Sequence, residues 1–346
     1  MYISKLNTID TENAIKFVKD TFQKHLANKL NLQRVTAPLF VKSGLGINDD
    51  LSGSEKPVLF IMKHTGEQCE IVHSLAKWKR MKLHELNTEV DHGIYTDMNA
   101  IRTEETLDNI HSLYVDQWDW EAVIKHEERC DKLYEYIKNI YDAILLTEDE
   151  LYQKYNCLEK CLPSKFKYIT AEELYLTYPD LTPKQREYEI CKKYGAVFIC
   201  GIGGKLSNGE VHDLRAPDYD DWCTPKTYLS FDIPKNSIFQ NNGLNGDLLI
   251  WYEPLDMPIE ISSMGVRVDK DALELQCYLS NTTDRLKYKY HQMILNNELP
   301  QTIGGGIGQS RLCMILLKKL HIGEVQSSVW PDEIINECKK NNINIL

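Results

Sequence analysis

The sequence predicts an α+β fold in which a largely antiparallel central sheet is flanked by helices. Strand-like segments are spread along the chain, and two of them, residues 93–102 and 112–120, alternate in polarity around a polar loop that is typical of a hairpin. Helical stripes stand between the strands, for example at residues 11–30. No internal repeat is present. We therefore expect one domain over residues 1–346, long enough for a buried core and a deep cleft.

The chain opens with a helix that is followed by an edge strand. Apolar residues recur with helical spacing from Ile15 to Leu30, and Thr11 is the predicted N-cap. Residues 32–39 then predict a short strand that contains Pro38. Because proline lacks the N–H that a strand ladder needs, this strand is predicted at a sheet edge or a subunit boundary.

The segments before the hairpin predict a loop, a strand and a helix. Residues 42–54 are rich in Gly, Asn and Asp and predict a loop, residues 57–63 predict a strand, and residues 71–80 predict a strand end that turns into a helix. In the hairpin, alternation places Gln117 and Asp119 on the same face. A carboxamide and a carboxylate are costly to bury without partners, so this face is predicted to line a polar cleft.

Helices and strands are predicted for the rest of the chain as well. Residues 121–155 predict a long amphipathic helix or a helix pair. The further predicted elements are a helix at 184–194, a buried strand at 196–200, a poorly patterned loop at 224–243, strands at 247–251 and 258–268, and helices near 270–279 and 283–296.

A glycine stretch at residues 303–311 leads into an apolar run that predicts a buried helix with Arg311 in its first turn. Four glycines between positions 304 and 308 leave bare backbone against which a nucleotide base can stack, while the guanidinium faces phosphates. A dinucleotide-binding fingerprint is excluded, because Gln309 or Arg311 stands where its third glycine is needed. A turn that only lets a helix pack closely on a sheet is the alternative interpretation.

The charge balance is acidic, with 51 Asp and Glu against 40 Lys and Arg and a formal net charge of -11. Proteins that hold long nucleic acids draw much of their affinity from basic residues, so nucleic-acid binding is disfavoured. The N-terminus has no apolar signal core, and no apolar run is long enough to span a bilayer, which predicts a cytoplasmic protein without a membrane partner. The ten cysteines lack zinc-ligand spacing and are predicted to be reduced thiols.

Arginines recur at strand and helix starts that face the predicted cleft, and acidic or amide residues recur beside them. The arginines are Arg102, Arg215, Arg267 and Arg311, and the acidic and amide residues are Asp49, Gln117, Asp119, Asp220 and Glu260. Guanidinium groups bind phosphate or carboxylate oxygens in pairs, whereas carboxylates hold an ammonium group. The combination indicates a nucleotide together with an amino acid. Taken alone, the aspartates at 218, 220 and 221 favour a solvated turn over a metal site.

Together these motifs resemble the ammonia-dependent asparagine synthetases, or aspartate-ammonia ligases, which are relatives of the catalytic domains of class II aminoacyl-tRNA synthetases. The longest matching stretches are residues 72–80, 114–121, 215–222 and 300–311, and the resemblance runs from the first helix to about Trp330.

The resemblance implies the fold of a class II synthetase catalytic domain and its three motifs. The first is a helix and strand at a homodimer interface, at about residues 12–40. The second is an Arg-x-Glu sequence, matched by Arg102 and Glu104. The third is the glycine strand with its helix-start arginine. The ligand sites would then be built from about residues 45–120 and 200–315.

The implied reaction is the ATP-dependent conversion of L-aspartate and ammonia into L-asparagine through a β-aspartyl-adenylate, with release of AMP and pyrophosphate and with Mg²⁺ accompanying ATP. The implied catalytic residues are Asp49, Arg102, Asp220 and Arg311. The aspartate-binding residues are Ser74, Lys79, Gln117, Asp119 and Arg267. The ATP-binding residues are Arg102, Glu104, Arg215, Glu260, Ser262, Ser263, Gly304, Gly306 and Arg311, and Glu260 also holds the metal ion. Asp49 is expected to hold ammonium and accept its proton, while Asp119 and Asp220 both remain open as partners of the substrate ammonium group.

Two other functions stay open at this point. A synthetase paralogue that modifies a tRNA or a protein would favour a basic surface, which the acidic charge opposes. A nucleotide or amino-acid sensor would have lost a phosphate arginine or a pocket acid, whereas all of them are present. Residues 224–242 look longer than in bacterial relatives, which leaves lid behaviour or dimer contacts there open.

Overall fold

A computed structural model describes residues 2–51, 55–227 and 240–346 of the chain. Most of the predicted loop at 224–243 lies outside the described residues, as does the end of the loop predicted at 42–54. The helices are α1 (Thr8–Leu30), α2 (Ala76–Glu85), α3 (Arg129–Lys154), α4 (Ala171–Thr177), α5 (Pro183–Tyr194), α6 (Lys270–Leu279), α7 (Lys289–Leu295), α8 (Gln309–Leu316) and α9 (Asp332–Lys340). The strands are β1 (Leu32–Arg34), β2 (Phe40–Lys42), β3 (Leu59–Ile61), β4 (Gln68–Ile71), β5 (Gly93–Ile101), β6 (Tyr114–Val123), β7 (Lys167–Thr170), β8 (Ala196–Cys200), β9 (Pro225–Thr227), β10 (Gln240–Asn242), β11 (Asn245–Tyr252), β12 (Met257–Val266) and β13 (Thr302–Gly308).

Within these described ranges, the central sheet has eight strands in the order β1-β5-β6-β13-β12-β11-β8-β7. The inner pairs from β5 to β8 are all antiparallel, and the two outermost pairs, β1 with β5 and β7 with β8, are parallel. The predicted α+β fold with a largely antiparallel sheet is therefore confirmed. The edge position of the strand that follows the first helix is confirmed as well.

The side chains of β6 show which face of the sheet packs on the core and which faces the cleft. Trp118 packs beside Phe22 of α1 with ring centroids 4.5 Å apart, and Trp120 stacks on Tyr136 of α3 at 5.5 Å. Both tryptophans are fully buried. The side chains of Gln117 and Asp119 therefore point to the opposite face of the sheet, because side chains alternate along a strand. No helix among the described residues is long and apolar enough to cross a membrane.

Two predicted boundaries near the N-terminus are wrong for local reasons. Helix α1 begins at Thr8, because the side chain of Asn7 accepts a hydrogen bond from the backbone N–H of Asp10 at 2.9 Å and caps the helix. Thr11, the predicted cap, is instead buried inside the helix and accepts a hydrogen bond from Lys319. Strand β1 ends at Arg34, so Pro38 lies beyond it.

The helix predicted from residue 121 begins only at Arg129, because β6 continues through Val123. It is a single helix. The helix predicted at 283–296 is divided into a 3-10 turn, Thr283–Lys287, and α7. The sequence analysis did not anticipate β2, β7, β9, β10, α4 and α9, which are all short, and β9 and β10 form a strand pair within the segment predicted as a loop at 224–243.

Candidate active site

A cavity of about 340 Å³ opens on the polar face of the central sheet. The predicted site residues that line it are Ser74, Arg102, Gln117, Asp119, Arg215, Asp220, Glu260, Ser263, Arg267, Gly306 and Arg311. The predicted residues that do not line it are Asp49, Lys79, Glu104, Ser262 and Gly304. Residues from four distant parts of the chain therefore converge on one cleft.

Two arginines on the cavity wall have no acidic ion-pair partner in the described part of the chain. Arg102 donates from Nη2 to the backbone oxygen of His73 at 3.3 Å, and Arg311 donates from Nη1 to the backbone oxygen of Glu260 at 3.0 Å. Neither forms an ion pair with any described residue. Burial lowers the pKa of Arg102 and the charge of Arg311 lowers it further, although the charges of Glu105 and Glu260 oppose both effects. Two guanidinium groups that form no direct ion pair with a described carboxylate make this wall suited to an anion such as a phosphate.

At the floor of the cavity, Arg267 is held between two carboxylates. It donates from Nη2 and Nε to the carboxylate of Glu121 at 2.7 and 2.9 Å, and from Nη1 to Asp220. Burial opposes the charge of the guanidinium, but the two carboxylates raise the pKa of Arg267 well above its ordinary value. For Asp220 the balance is reversed, because burial raises the pKa of that carboxyl despite the arginine. The arginine is thus fixed in orientation with an acidic residue on each side.

Lys79 forms a second buried ion pair at the same end of the cavity. Its ammonium group donates to Asp119, to the backbone oxygen of Trp120 at 2.9 Å and to that of Gly305 at 3.2 Å. The other oxygen of Asp119 accepts from the backbone N–H of Leu75 at 3.1 Å. Lys79 is therefore directed into the protein, and Asp119 rather than Lys79 faces the cavity.

Counting charges shows what this floor can accept. Lys79, Arg215 and Arg267 supply three positive charges, and Asp119, Glu121, Asp220 and Asp247 supply four negative ones. Buried charges are stable only when they are paired, so one carboxylate charge is left to be matched. The floor suits a ligand that brings a cationic group to this end.

A further acidic residue, Asp247, lies near the wall that carries the arginines. Arg215 donates to the carboxylate of Asp247. Burial, which outweighs Arg215, raises the pKa of Asp247 to about 7, and the charge of Glu260 adds to the increase. No cluster of three or more His, Cys, Asp or Glu among the residues described could hold a metal by itself. Two neighbouring carboxylates nevertheless fit Mg²⁺, which is commonly bound by one or two carboxylates together with substrate phosphates and water.

A β-bulge decides which residues of β12 reach the cavity. Leu248 of β11 pairs with Ser262, but Leu249 pairs with Glu260, so Ile261 is an extra residue. In a regular strand, residues 260 and 262 would share a face. The bulge instead brings Glu260 and Ser263 to the cavity and turns Ser262 into the protein, where it is buried.

Strand β13 has glycines because side chains from neighbouring segments pass close to its backbone. A Cβ at Gly304 would collide with the carboxylate of Glu121 and lie 2.6 Å from Nη2 of Arg267. A Cβ at Gly306 would lie 2.5 Å from Oε1 of Gln117. The buried ion pair requires glycine at position 304 and covers it, whereas at Gly306 the flexible end of Gln117 would have to move to admit a Cβ.

The hairpin loop presents Glu105 to the cavity, while Glu104 is exposed to solvent. The backbone N–H of Glu105 bonds the carbonyl of Arg102, which closes a tight turn that points residue 104 outward. His111 and Ser112, which the sequence analysis did not single out, line the same part of the cavity.

The interpretation of the aspartates at 218, 220 and 221 as a solvated turn is wrong, since all three are at most 1% exposed. Asp221 accepts hydrogen bonds from the backbone N–H groups of Cys223 and Thr224 and so holds the following turn. Asp218 pairs with Lys77 and His291. Of the three, Asp220 alone lines the cavity.

Asp49 lies directly behind the cavity wall. It is 1% exposed and accepts a hydrogen bond from the hydroxyl of Ser74, which does line the cavity. Burial raises the pKa of Asp49, although Lys77 and Ser74 oppose that effect. Asp49 can therefore reach a ligand only at the end of the cavity where Ser74 stands.

Sequence reasoning also missed Glu121 and Asp247, which do not line the cavity themselves but pair with Arg267 and Arg215, which do. A signal existed for Glu121, because strand alternation places it on the same face as Gln117 and Asp119 once β6 is recognised to extend that far. Asp247 has no comparable signal, since its closeness to Glu260 depends on the pairing of β11 with the bulged strand.

Comparison with known proteins gives consistent results. A family model described as aspartate-ammonia ligase matches residues 9–342. An aspartate–ammonia ligase of Bacteroides fragilis is 53% identical over 347 aligned positions, which cover 100% of this chain and 97% of that protein. The protein of the same name from Clostridium perfringens is 52% identical, with the same coverage of both chains.

Solved structures with similar folds include two asparaginyl-tRNA synthetases. The Entamoeba histolytica structure has a TM-score of 0.61 at 16% identity and covers 92% of this chain and 67% of that one. The Pyrococcus horikoshii structure, which was solved in complex with asparaginyl-adenylate, has a TM-score of 0.62 at 15% identity and covers 93% and 70%. The fold is therefore that of a class II aminoacyl-tRNA synthetase catalytic domain, as the sequence predicts.

Proposed function

The chain belongs to the aspartate-ammonia ligase family, whose members ligate ammonia to L-aspartate to give L-asparagine, and we propose that this one does so through a β-aspartyl-adenylate made from ATP. The observation that carries the proposal is the cavity itself. One wall has two arginines that form no ion pair with any residue the structure describes, and the floor has an excess carboxylate charge. A nucleotide phosphate suits the first and the ammonium group of an amino acid suits the second.

Adenylation solves the chemical difficulty of the reaction. Ammonia does not displace oxide from an anionic carboxylate, because the leaving group is poor and the carboxylate charge repels a nucleophile. In the proposed route, a β-carboxylate oxygen of aspartate attacks the α-phosphorus of ATP and pyrophosphate leaves. Ammonia then attacks the activated carbonyl carbon, AMP leaves with the bridging oxygen, and one proton is lost from nitrogen. Arg102 and Arg311 stabilise the charge that develops on the α-phosphate by fixed electrostatics.

The proposed ATP site extends from these arginines to the bulged strand. It comprises Arg102, Arg215, Glu260, Ser263, Gly306 and Arg311, with Glu105 in the place expected for Glu104. Ser262 and Gly304 do not line the cavity, and their proposed role is to set the backbone path of the strands that carry the lining residues. Glu260 and Asp247 are the residues that would hold Mg²⁺, which when bound supplies positive charge to the phosphates.

The proposed aspartate site occupies the floor of the cavity. Ser74, Gln117, Asp119, Asp220 and Arg267 line it. We assign Arg267 to a substrate carboxylate, through the N–H groups that Glu121 and Asp220 do not accept, and Asp119 or Asp220 to the substrate ammonium group. Lys79 supports this pocket from behind, because its ammonium group fixes Asp119.

Asp49 is the proposed residue for ammonia. Ammonium is the main form near neutral pH, but only neutral ammonia can attack a carbonyl carbon, so a proton acceptor is needed. Burial raises the pKa of Asp49 and makes it a stronger base than a solvated carboxylate. Through Ser74 it adjoins the aspartate end of the cavity, where the second step takes place.

A homodimer through α1 and β1, at about residues 12–40, is also part of the proposal. The outer edge of β1 pairs with no other strand in the part of the chain that the structure describes. Leu39 and Phe40 just beyond it are 50% and 44% exposed, and neighbouring exposed apolar side chains can mark an interaction surface. Light scattering coupled to gel filtration should give twice the 40.1 kDa chain mass, and a monomer at micromolar concentration would contradict the dimer.

The test of the reaction is product analysis on the purified protein with ATP, Mg²⁺, aspartate and ammonium, with glutamine replacing ammonium in a parallel sample. We expect asparagine, AMP and pyrophosphate, all dependent on ammonium. Aspartate-dependent exchange of pyrophosphate into ATP should occur without ammonium, because the first step is complete before ammonia reacts. Formation of ADP, or asparagine without any exchange, would rule out the adenylate route.

A further inference from the structure

A buried cluster of charged side chains lies behind Asp49, outside the cavity. Its centre is Lys77 of α2, which is 2% exposed. The Lys77 ammonium group lies 3.4 Å from Oδ1 of Asp49 and 2.9 Å from Oδ2 of Asp218, and it donates to the backbone oxygen of Asn48 at 3.2 Å. Neither Lys77 nor Asp218 lines the cavity, so the ligand sites leave them without a role.

Asp218 is bound in turn by Arg285 and His291, which lie just before α7 and within it. His291 donates from Nε2 to Oδ2 of Asp218 at 2.9 Å, and Arg285 donates from Nη1 to the same oxygen at 3.4 Å. Arg285 also pairs with Asp50 at 2.5 Å, next to Asp49 in the chain. The cluster therefore ties the Asp49 loop to α2 and α7.

The arrangement divides the charge of Lys77 between two carboxylates. The shorter contact goes to Asp218, and the longer one goes to Asp49. Oδ1 of Asp49 has no hydrogen-bond partner among the described residues, whereas Oδ2 accepts from Ser74. Without Asp218, Lys77 would be free to form a full ion pair with Asp49, which would weaken that carboxylate as a base.

The charge balance of the cluster points the same way. With a neutral His291, Lys77 and Arg285 bring two positive charges, and Asp49, Asp50 and Asp218 bring three negative ones. The strong contacts satisfy Asp50 and Asp218, so the excess negative charge falls on Asp49. Because buried charge seeks a counter-ion, this favours an ammonium ion at the Ser74 end of the cavity.

We propose that Asp218 and His291 are positioning residues for the ammonia-dependent step. By holding Lys77 on the side away from the cavity, they keep Asp49 only partly neutralised and directed toward Ser74. The inference rests on the proposed role of Asp49. Asp218 and His291 bind no substrate in this proposal and affect Asp49 only through Lys77.

The test compares the two half-reactions in Asp218→Asn. Pyrophosphate exchange without ammonium reports adenylation, and asparagine synthesis at varied ammonium reports the second step. We expect exchange within about threefold of wild type and a loss of about 10- to 100-fold in kcat/KM for ammonium, the range that small misplacements produce. Hydroxylamine, which is largely neutral where ammonia is largely protonated, should recover most of the rate, because it does not need the base.

Further variants separate this inference from the role of Asp49. If Asp49→Asn reduces exchange and synthesis equally, the assignment of Asp49 to ammonia is wrong. If Asp49→Asn is selective for ammonium but Asp218→Asn is not, only the positioning inference is overturned. His291→Leu removes one hydrogen-bond donor from Asp218 and should give the same selective loss at smaller size, which keeps the test usable if Asp218→Asn does not fold.

The matched control is Glu148→Gln. Glu148 is also a carboxylate at only 2% exposure, but it bonds the backbone N–H groups of Cys161 and Leu162 and does not line the cavity. This variant should leave the ratio of the two half-reactions unchanged. An ammonium-selective loss in Glu148→Gln as well would show that the effect is a general result of removing buried charge, and would overturn the inference.

Discussion

The buried ion pair between Arg267 and Glu121 gives the sharpest prediction for this fold. The substitution Glu121→Gln keeps the shape of the side chain but removes the charge that faces Arg267. The carboxylate accepts from Nη2 and Nε of Arg267 at 2.7 and 2.9 Å and from the hydroxyl of Thr302 at 2.7 Å, and it is 0% exposed. Arg267 would then retain Asp220 as its one strong counter-ion.

The expected magnitude follows from that geometry. Removing one partner of a buried ion pair destabilises a protein by about 3–5 kcal/mol. Gln retains an oxygen that can accept one of the bonds, so we expect the lower end of that range, about 3 kcal/mol of unfolding free energy. Because Arg267 also lines the cavity, the KM for aspartate should rise more than the KM for ATP.

Urea unfolding and initial-rate kinetics check both parts. The control is Glu85→Gln, which removes an exposed carboxylate that pairs with Lys82 at 3.0 Å on the surface of α2. A surface pair contributes about 0–1 kcal/mol, so this variant should unfold close to wild type. If Glu121→Gln unfolded within 1 kcal/mol of the control with an unchanged KM for aspartate, the reasoning about this buried pair would be refuted.

Three further predictions concern the rest of the cavity. Gly306→Ala places a Cβ 2.5 Å from Oε1 of Gln117, so it should raise the KM for aspartate while circular dichroism stays that of wild type; unchanged kinetics would show that Gln117 can move without effect. Arg311→Lys loses paired contacts to phosphate, and we expect pyrophosphate exchange to fall by about 100-fold, whereas a fall confined to the ammonium step would contradict the phosphate role. The pKa of Asp247 is raised to about 7 in the folded state, so its contribution to stability is greatest below the ordinary aspartate pKa and is lost as pH rises through about 7. The urea midpoint without ligands should therefore fall across that interval, and Asp247→Asn should flatten the fall; an identical pH profile in the variant would exclude Asp247 as its source.

Local pattern alone was enough for the fold class and for one face of the cleft. Alternation along β6 assigned Gln117 and Asp119 to a polar face because a strand has a fixed two-residue period, whatever it pairs with. The glycine stretch and the apolar run after it predicted β13 and α8, because both patterns are properties of a few consecutive residues. The edge position of β1 was predicted from Pro38, but the strand ends at Arg34, so the prediction was correct although the proline does not belong to the strand.

The detailed membership of the site depended on tertiary structure. Which of Glu260, Ser262 and Ser263 reaches the cavity was set by a bulge that exists only when β12 pairs with β11. Whether Lys79 meets ligand or Asp119, and whether Asp218 is solvated or buried against Lys77, were set by partners from distant parts of the chain. Period and composition act over a few residues and can be read from the sequence. Burial and ion pairing are properties of the packed chain, and here they selected which of many suitable side chains became the walls of the site.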